Sequence, residues 1–317
     1  MSQKQFPQEF IGRLEKIIPR PLLLTASEMF SAEPCKTVRV NAIKASVVDI
    51  IHDLSQQGIR ARTFGAVPEA LDVGEDGLSF LKQNHFFEKG IVYQQSLSSM
   101  LAVKILDPRA GERILDLCAA PGSKTSQIAA RMNNEGTVCA VEPVRGRFYK
   151  LKSVLNMLGI VNTACICIDG RKFRAKDDLF DRVLVDAPCS SEGRFKIKEP
   201  ETYQYWSLRK IREMVRKQRG LLLNAGRLVK ERGVLVYSTC TFAPEENEGV
   251  IDWFLKKTEN AFAVEEISPG DDIRTYPAVM SWGKKTFNPQ IEKCVRVLPA
   301  EMTEGFFIAK MRKQSCC

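Results

Sequence analysis

Histidine is almost missing from this chain: His52 and His85 are the only two among 317 residues. A histidine-centred active site is therefore disfavoured, and proton transfer falls to carboxylates, thiols or water. None of the ten cysteines stands in a Cys-x-x-Cys pair, which with so little histidine argues against a metal site. The first twenty residues mix Lys, Glu and Arg without a long apolar run, so no secretory leader is expected. Nor does a stretch of about 18 apolar residues offer a bilayer span. These absences predict a reduced, cytoplasmic protein with no membrane and no metal partner, read here as a monomer. Cys316 and Cys317 are read as an exposed, oxidisable tail rather than a site.

What is present is ordinary for a globular fold: 44% hydrophobic and 27% charged residues. The length allows a large domain with a smaller one. Lys and Arg number 47 against 38 Asp and Glu, a net charge of +9 that suits a polyanion such as nucleic acid. Residues 1–30 read as an amphipathic helical arm, with Phe6, Phe10, Leu14, Ile17 and Ile18 near a helical period until Pro19 and Pro21 interrupt. Residues 31–90 read as a small α+β module: a strand over 36–41, a helix capped by Ser46 that stops at Gly58, then short strands and turns.

Residues 91–313 read as the larger domain, in which strands and helices alternate. Strands are expected at 113–117, 137–141, 162–168, 182–185 and 233–237. Helices are expected at 97–105, from Ser123 onward, and at 145–158, 205–229 and 244–257. This rhythm argues an α/β fold with a mostly parallel, Rossmann-like sheet and helices on both faces. Late strands at 294–298 and 305–310 close it as an antiparallel hairpin.

The most informative residues follow two of those strands. Asp186-Ala187-Pro188-Cys189 follows one and Ser238-Thr239-Cys240 the other. If the strands are neighbours, both sulfurs and a carboxylate share the carboxyl edge of the sheet, where such folds keep their chemistry. After the first strand, Cys118-Ala119-Ala120-Pro121-Gly122-Ser123-Lys124 makes a small-residue turn into a helix start. It is neither Gly-x-Gly-x-x-Gly nor a P-loop. Glu142 then ends the second strand, able to accept from both ribose hydroxyls of an adenosine-type ligand, and Asp169 ends the third, placed for the adenine amine. Three acidic strand ends in succession, Glu142, Asp169 and Asp186, point to an adenosine cofactor.

With these residues in view, the chain resembles the Nop/Sun family of RNA cytosine-5 methyltransferases, which use S-adenosylmethionine. The resemblance is carried by residues 116–125, 181–191 and 237–248 (YSTCTFAPEENE), by Arg39-Val40-Asn41, Tyr93-Gln94-Gln95-Ser96 and Thr303-Glu304-Gly305-Phe306-Phe307. It spans roughly residues 36–312 and looks closest to the bacterial rRNA and archaeal-type tRNA branches. It implies a class I methyltransferase fold, with the small module at 31–90 serving RNA recognition. Residues 118–124 would hold the methionine and ribose side of the cofactor, Glu142 the ribose with Arg147 nearby, and Asp169 the adenine. Asp186 would lie between cofactor and base, Cys240 would be the nucleophile, and Cys189 would release the product. Glu142 stands where many relatives have Asp. Ala300 stands where many have His, so a contact near the base is expected to be lost. By the same resemblance the chain is expected to end near the end of the catalytic domain, without the extra C-terminal RNA-binding module of some relatives.

The chemistry needs these groups. Carbon 5 of cytosine is a poor nucleophile until a thiolate adds to carbon 6. A thiol of ordinary pKa is only a few per cent ionised at neutral pH. The expected aid to Cys240 is a helix start at Pro244, opposed by Glu245, Glu246 and Glu248, so modest activation is predicted. Arg194, Lys196 and Lys198, close behind Cys189, are the candidate phosphate contacts, while Arg209, Arg212, Arg216 and Arg219 form a stripe that reads equally as a solvated helix side. DNA cytosine methyltransferases use the Pro-Cys cysteine with a later Glu-Asn-Val, which is missing here, so RNA is favoured. The rival readings are a non-catalytic RNA-binding or ribosome-assembly factor, disfavoured by the intact Cys189, Cys240 and Asp186, and a nicotinamide oxidoreductase, disfavoured by the missing glycine fingerprint.

Overall fold

Short apolar runs separated by amphipathic helices bury both faces only as parallel strands with helical cover. The computed structural model describes residues 6–32, 36–175 and 179–315, and does so in that form. The expectation for Cys316 and Cys317 lies outside the described residues. Thr163–Ile166, Thr137–Val141, Arg113–Asp116, Phe180–Asp186 and Val229–Thr239 lie side by side in that order, all parallel. Chain order reverses at Arg113–Asp116, which makes the switch-point crevice where ligands enter such sheets. Beyond Val229–Thr239 the sheet turns antiparallel through Phe306–Lys313, Val295–Val297 and Thr275–Tyr276, and Phe262–Glu265 pairs with Phe306–Lys313 as well. The architecture is the class I, Rossmann-like one expected, and its antiparallel side is broader than the predicted hairpin.

Strand alternation sorts the core into two layers. Leu115, Val183, Val185, Leu235, Tyr237 and Phe307 face the helices Leu208–Leu228 and Glu248–Lys257. Ile114, Val138, Leu184, Val236 and Ile308 face the helices Leu97–Leu106 and Ser123–Arg131. The helix expected from Pro244 begins only at Glu248: residues 244–247 form turns, and the side chains of Glu245, Glu246 and Asn247 are spent on tertiary contacts.

A separate four-stranded antiparallel sheet runs Arg62–Thr63, Ala70–Asp72, Thr37–Val40, Val92–Gln94. Val38, Val40, Leu71 and Val92 pack on Ile50 and Leu54 of the helix Val47–Gln56, which carries a Ser46–Asp49 capping box. A second helix, Gly74–Gln83, lies where the sequence suggested only short strands and turns. Its two glycines dilute the helical pattern, and its buried Leu78 and Leu81 complete the same core. Arg39 and Asn41 bind this sheet to the large one. Fully buried Arg39 donates to Gln95 Oε1, Ser123 O and Ser126 Oγ, and Asn41 Nδ2 donates to Gly90 O and Leu158 O.

The helices Gln8–Ile17 and Arg20–Glu28, split at Pro19, pack Phe10, Leu14 and Ile17 against Phe195, Tyr203, Phe242 and Leu298. The arm therefore rests on the segments that follow the two cysteines. Among the described residues no helix is long and apolar enough to cross a membrane.

Candidate active site

Strand register builds the site. Phe180–Asp186 and Val229–Thr239 pair in parallel with Asp186 opposite Ser238, so the residues just beyond each end reach one place. The Cys189 and Cys240 sulfurs stand 3.4 Å apart. The Asp186 carboxylate accepts from Ser238 Oγ at 2.8 Å and from Lys124 Nζ at 2.7 Å, and that ammonium also donates to Ser99 Oγ at 2.7 Å. The loop carrying Cys189 is strapped down by Gly193 N donating to Cys240 O at 2.9 Å. Glycine is needed there, since a Cβ on Gly193 would stand 2.1 Å from Gly305 O.

One cleft of about 800 Å³ gathers the candidates: Cys118, Ala119, Ala120, Pro121, Lys124, Glu142, Arg147, Asp169, Asp186, Cys189, Arg194 and Cys240 all line it. Gly122 sits behind the lining, at φ 113° where the turn enters its helix. Glu142 is buried, accepting from Val144 N at 2.9 Å and lying 3.4 Å from an Arg147 nitrogen; Arg147 in turn donates to Ala120 O at 2.8 Å. Asp169 receives the fork of Arg171, which holds its carboxyl below the usual range. Asp116, not foreseen, accepts from Thr125 Oγ1 at 2.7 Å and from Cys118 N at 3.4 Å, bracing the turn; burial raises its carboxyl to about 6.

The basic residues after Cys189 divide. Arg194 is at the cleft, its Nε 3.1 Å from Glu304 Oε2. Lys196 turns to the arm, where its ammonium donates to Met29 O and Ala32 O at 3.0 and 2.9 Å. Lys198 is exposed outside the cleft lining. Lys196, Arg194 and Ala300 line an adjoining cavity of about 340 Å³.

The two thiols differ in their fields. Cys240 is lowered to about 7, first by the hydrogen bond from Cys189 and then by the Arg194 guanidinium, against burial and the Asp186 and Glu304 carboxylates. Cys189 is raised well above an ordinary thiol by that same bond and by burial. Of the two, Cys240 is the thiol that ionises first, and Cys189 is the one that keeps its proton. The expected helix-start effect is not the source of activation, because the helix begins at Glu248. Arg194→Gln should therefore move ionisation of Cys240 upward. Its thiolate fraction at pH 7 should fall roughly fivefold, read as slower iodoacetamide labelling of Cys240 that recovers at pH 9.

The glutamates thought to oppose that charge are spoken for. Glu245 pairs with Arg13 at 2.6 Å and accepts from Trp282 Nε1. Asn247 straps both sides of Cys240, accepting from Thr239 Oγ1 at 2.6 Å and donating to Thr241 O at 2.9 Å. Glu248 takes the fork of Arg296 through two contacts of 2.6 Å, both side chains being fully buried. Arg296→Leu leaves that carboxylate buried without its cation, with only the Val279 N–H still donating to it, and should cost about 3–5 kcal/mol of stability, visible in urea unfolding. The Glu-Glu-Asn-Glu run belongs to the family-like segment 237–248, but its clamping role has no signal short of the tertiary structure.

A Rossmann-like sheet with an acidic, small-residue cleft at its switch point is a nucleotide-cofactor architecture, and similarity to known proteins places it in the methyltransferase class of that fold. A family model described as 16S rRNA methyltransferase RsmB/F matches residues 103–312. The tRNA (cytosine(49)-C(5))-methyltransferase of Pyrococcus abyssi is 33% identical over 320 residues, covering 97% of this chain and 99% of that protein. Ribosomal RNA small subunit methyltransferase F of Escherichia coli is 36% identical over 318 residues; the match covers 97% of this chain and 63% of that longer protein. The crystal structure of a methyltransferase homologue from Pyrococcus horikoshii superimposes with a TM-score of 0.84 at 28% identity, over 98% of this chain and 96% of that one. The chain belongs to the RsmB/F family. It is an RNA methyltransferase, and its cofactor is S-adenosylmethionine.

Proposed function

We propose that this protein methylates carbon 5 of cytosine in structured rRNA or tRNA, through a transient bond between Cys240 Sγ and carbon 6 of the base. The observation that carries the reading is the pair of sulfurs 3.4 Å apart beside an Asp186 carboxylate fixed by Lys124 and Ser238. S-adenosylmethionine, when bound, supplies an electrophilic methyl group on a sulfonium.

The cleft suits that cofactor. Buried Glu142 offers a carboxylate to the ribose diol, with Arg147 beside it, and Asp169 offers an acceptor to the adenine amine. Small residues at Cys118–Gly122 let the backbone come close, and Lys124 and Asp186 close the end nearest the thiols.

The Cys240 thiolate adds to carbon 6, and the pair of electrons displaced from the carbon 5–carbon 6 bond makes carbon 5 nucleophilic. Asp186 accepts from the exocyclic amine as a carboxylate, or donates to the ring nitrogen once protonated, and so steadies the adduct. Carbon 5 takes the methyl group and gives its proton to water or a neighbouring base, and the freed electron pair re-forms the carbon 5–carbon 6 double bond as the sulfur–carbon 6 bond breaks to return the thiolate; Cys189 assists that release. The target base leaves its stack to reach this depth. Arg194 and Lys198 are the side chains offered to phosphate, the latter from outside the cleft, with Lys196 lending its charge from where it holds the arm. The small module, whose Tyr93 and Gln94 line the cleft, and the arm, whose Met29 and Phe30 line the adjoining cavity, would choose the RNA in a cytoplasmic setting.

The test is bisulfite sequencing of rRNA and tRNA from a strain lacking the gene, after incubation with purified protein and cofactor. Protection of defined cytosines from conversion is expected, and the RNA class that carries them names the target. No protected cytosine in either class, with methyl transfer seen elsewhere, would refute the reading.

A further inference from the structure

Glu246 is a fully buried carboxyl that the chemistry above leaves unused. Gln218, also fully buried, donates through Nε2 to Glu246 Oε2 at 2.7 Å and to Pro188 O at 3.0 Å. Ser190 N donates to the same Glu246 oxygen at 3.1 Å. The two side chains therefore grip the residues on either side of Cys189. Yet Glu246 Oε1 and Gln218 Oε1 are both buried without a partner among the described residues. An unmet buried acceptor costs about 1–3 kcal/mol, and here two of them belong to side chains already joined by one bond. A single proton on Glu246 would serve both; a carboxylate has none to give.

We propose that Glu246 is held as a carboxylic acid whose Oε1 proton is donated to Gln218 Oε1, closing a neutral acid–amide pair that positions Cys189. This rests on the reading of Cys189 as the group that assists release. Burial is the largest cause holding the Glu246 carboxyl up at about 8, and Glu192 pushes the same way. An anion here would also face Cys189, whose thiol is raised first by its bond to Cys240 and then by burial, and Tyr237, raised first by burial; a charged Glu246 would push both further up. Glu246 is a positioning residue, since it acts on the loop and has no place in the cleft lining.

The pair predicts an unusual rescue. Glu246→Gln offers one acceptor and one donor in the same places, so an amide–amide pair replaces the acid–amide pair. Glu246→Ala offers neither. The full-length variants are compared with Cys189→Ala on a cytosine RNA substrate with cofactor. Glu246→Gln should release product at the wild-type rate. Glu246→Ala should still form the adduct but release it on the order of 10- to 100-fold more slowly, with faster iodoacetamide labelling of Cys189. The infrared difference between wild type and Glu246→Gln at pH 7 should show the loss of one protonated-carboxyl stretch.

A Gln variant as impaired as the Ala variant would overturn the proposal, as would a missing carboxyl band. If Glu246→Ala does not fold, the Gln variant and the infrared spectrum still decide. Should Cys189→Ala itself fail to accumulate adduct, the release role of Cys189 falls, while the carboxyl band and the labelling rates still judge the acid–amide pair.

Discussion

Replacing Cys240 by alanine is expected to lower methyl transfer by about a thousandfold or more while leaving affinity for S-adenosylhomocysteine within about twofold. The argument is spatial. Cys240 Sγ contacts Cys189 Sγ at 3.4 Å and faces Arg194, whereas Glu142 and Asp169 follow the strands on the other side of the switch point and Arg147 lies on the helix between those strands. Losing the sulfur removes the only route offered to an activated carbon 5 and disturbs none of the groups assigned to the adenosine. Radiolabelled methyl transfer and calorimetric titration measure the two effects separately. A parallel loss of both would mean that Cys240 holds the cofactor turn rather than attacking the base.

Replacing Cys189 by alanine is expected to have the second-largest effect, and a different one. The nucleophile remains, so the adduct forms, but release is slowed and RNA stays bound to protein through denaturing electrophoresis. A burst of about one methyl group per protein followed by little turnover is the kinetic form of this outcome. Removing Cys189 also removes the hydrogen bond that is the largest cause of the lowered Cys240 pKa. Adduct formation in this variant should therefore gain more from alkaline pH than in the wild type. In the wild type the rate rises as the thiol ionises through about pH 7 and levels above it; in Cys189→Ala that rise should move to higher pH. Free RNA in the denaturing lane at pH 9 would refute the release role.

The parts of this site that were legible in the sequence are those fixed by local order. Cys189 and Cys240 each follow an apolar strand closely, and parallel neighbours carry such positions to one edge. Glu142 and Asp169 were legible for the same reason. Hidden from the sequence were contacts that join distant segments: Lys124 with Asp186, Arg296 with Glu248, and Arg39 with Ser123. The activation of Cys240 was misread because Pro244 resembles a helix start, while residues 244–247 spend their side chains on the arm and the neighbouring loops instead. Lys196 was legible as a charge but not as the anchor of Met29 and Ala32. The helix Gly74–Gln83 was hidden by its own glycines.

The central claim is that Cys240, and not its neighbour, bonds to the pyrimidine. The direct measurement uses wild-type protein, cofactor and RNA bearing 5-fluorocytosine at the target, since fluorine at carbon 5 cannot leave as a proton and the adduct is trapped. Trypsin separates the two thiols cleanly, Cys189 into residues 183–194 and Cys240 into residues 233–256. Mass spectrometry should find the methylated fluoropyrimidine nucleotide on residues 233–256. Finding it on residues 183–194 would contradict the account.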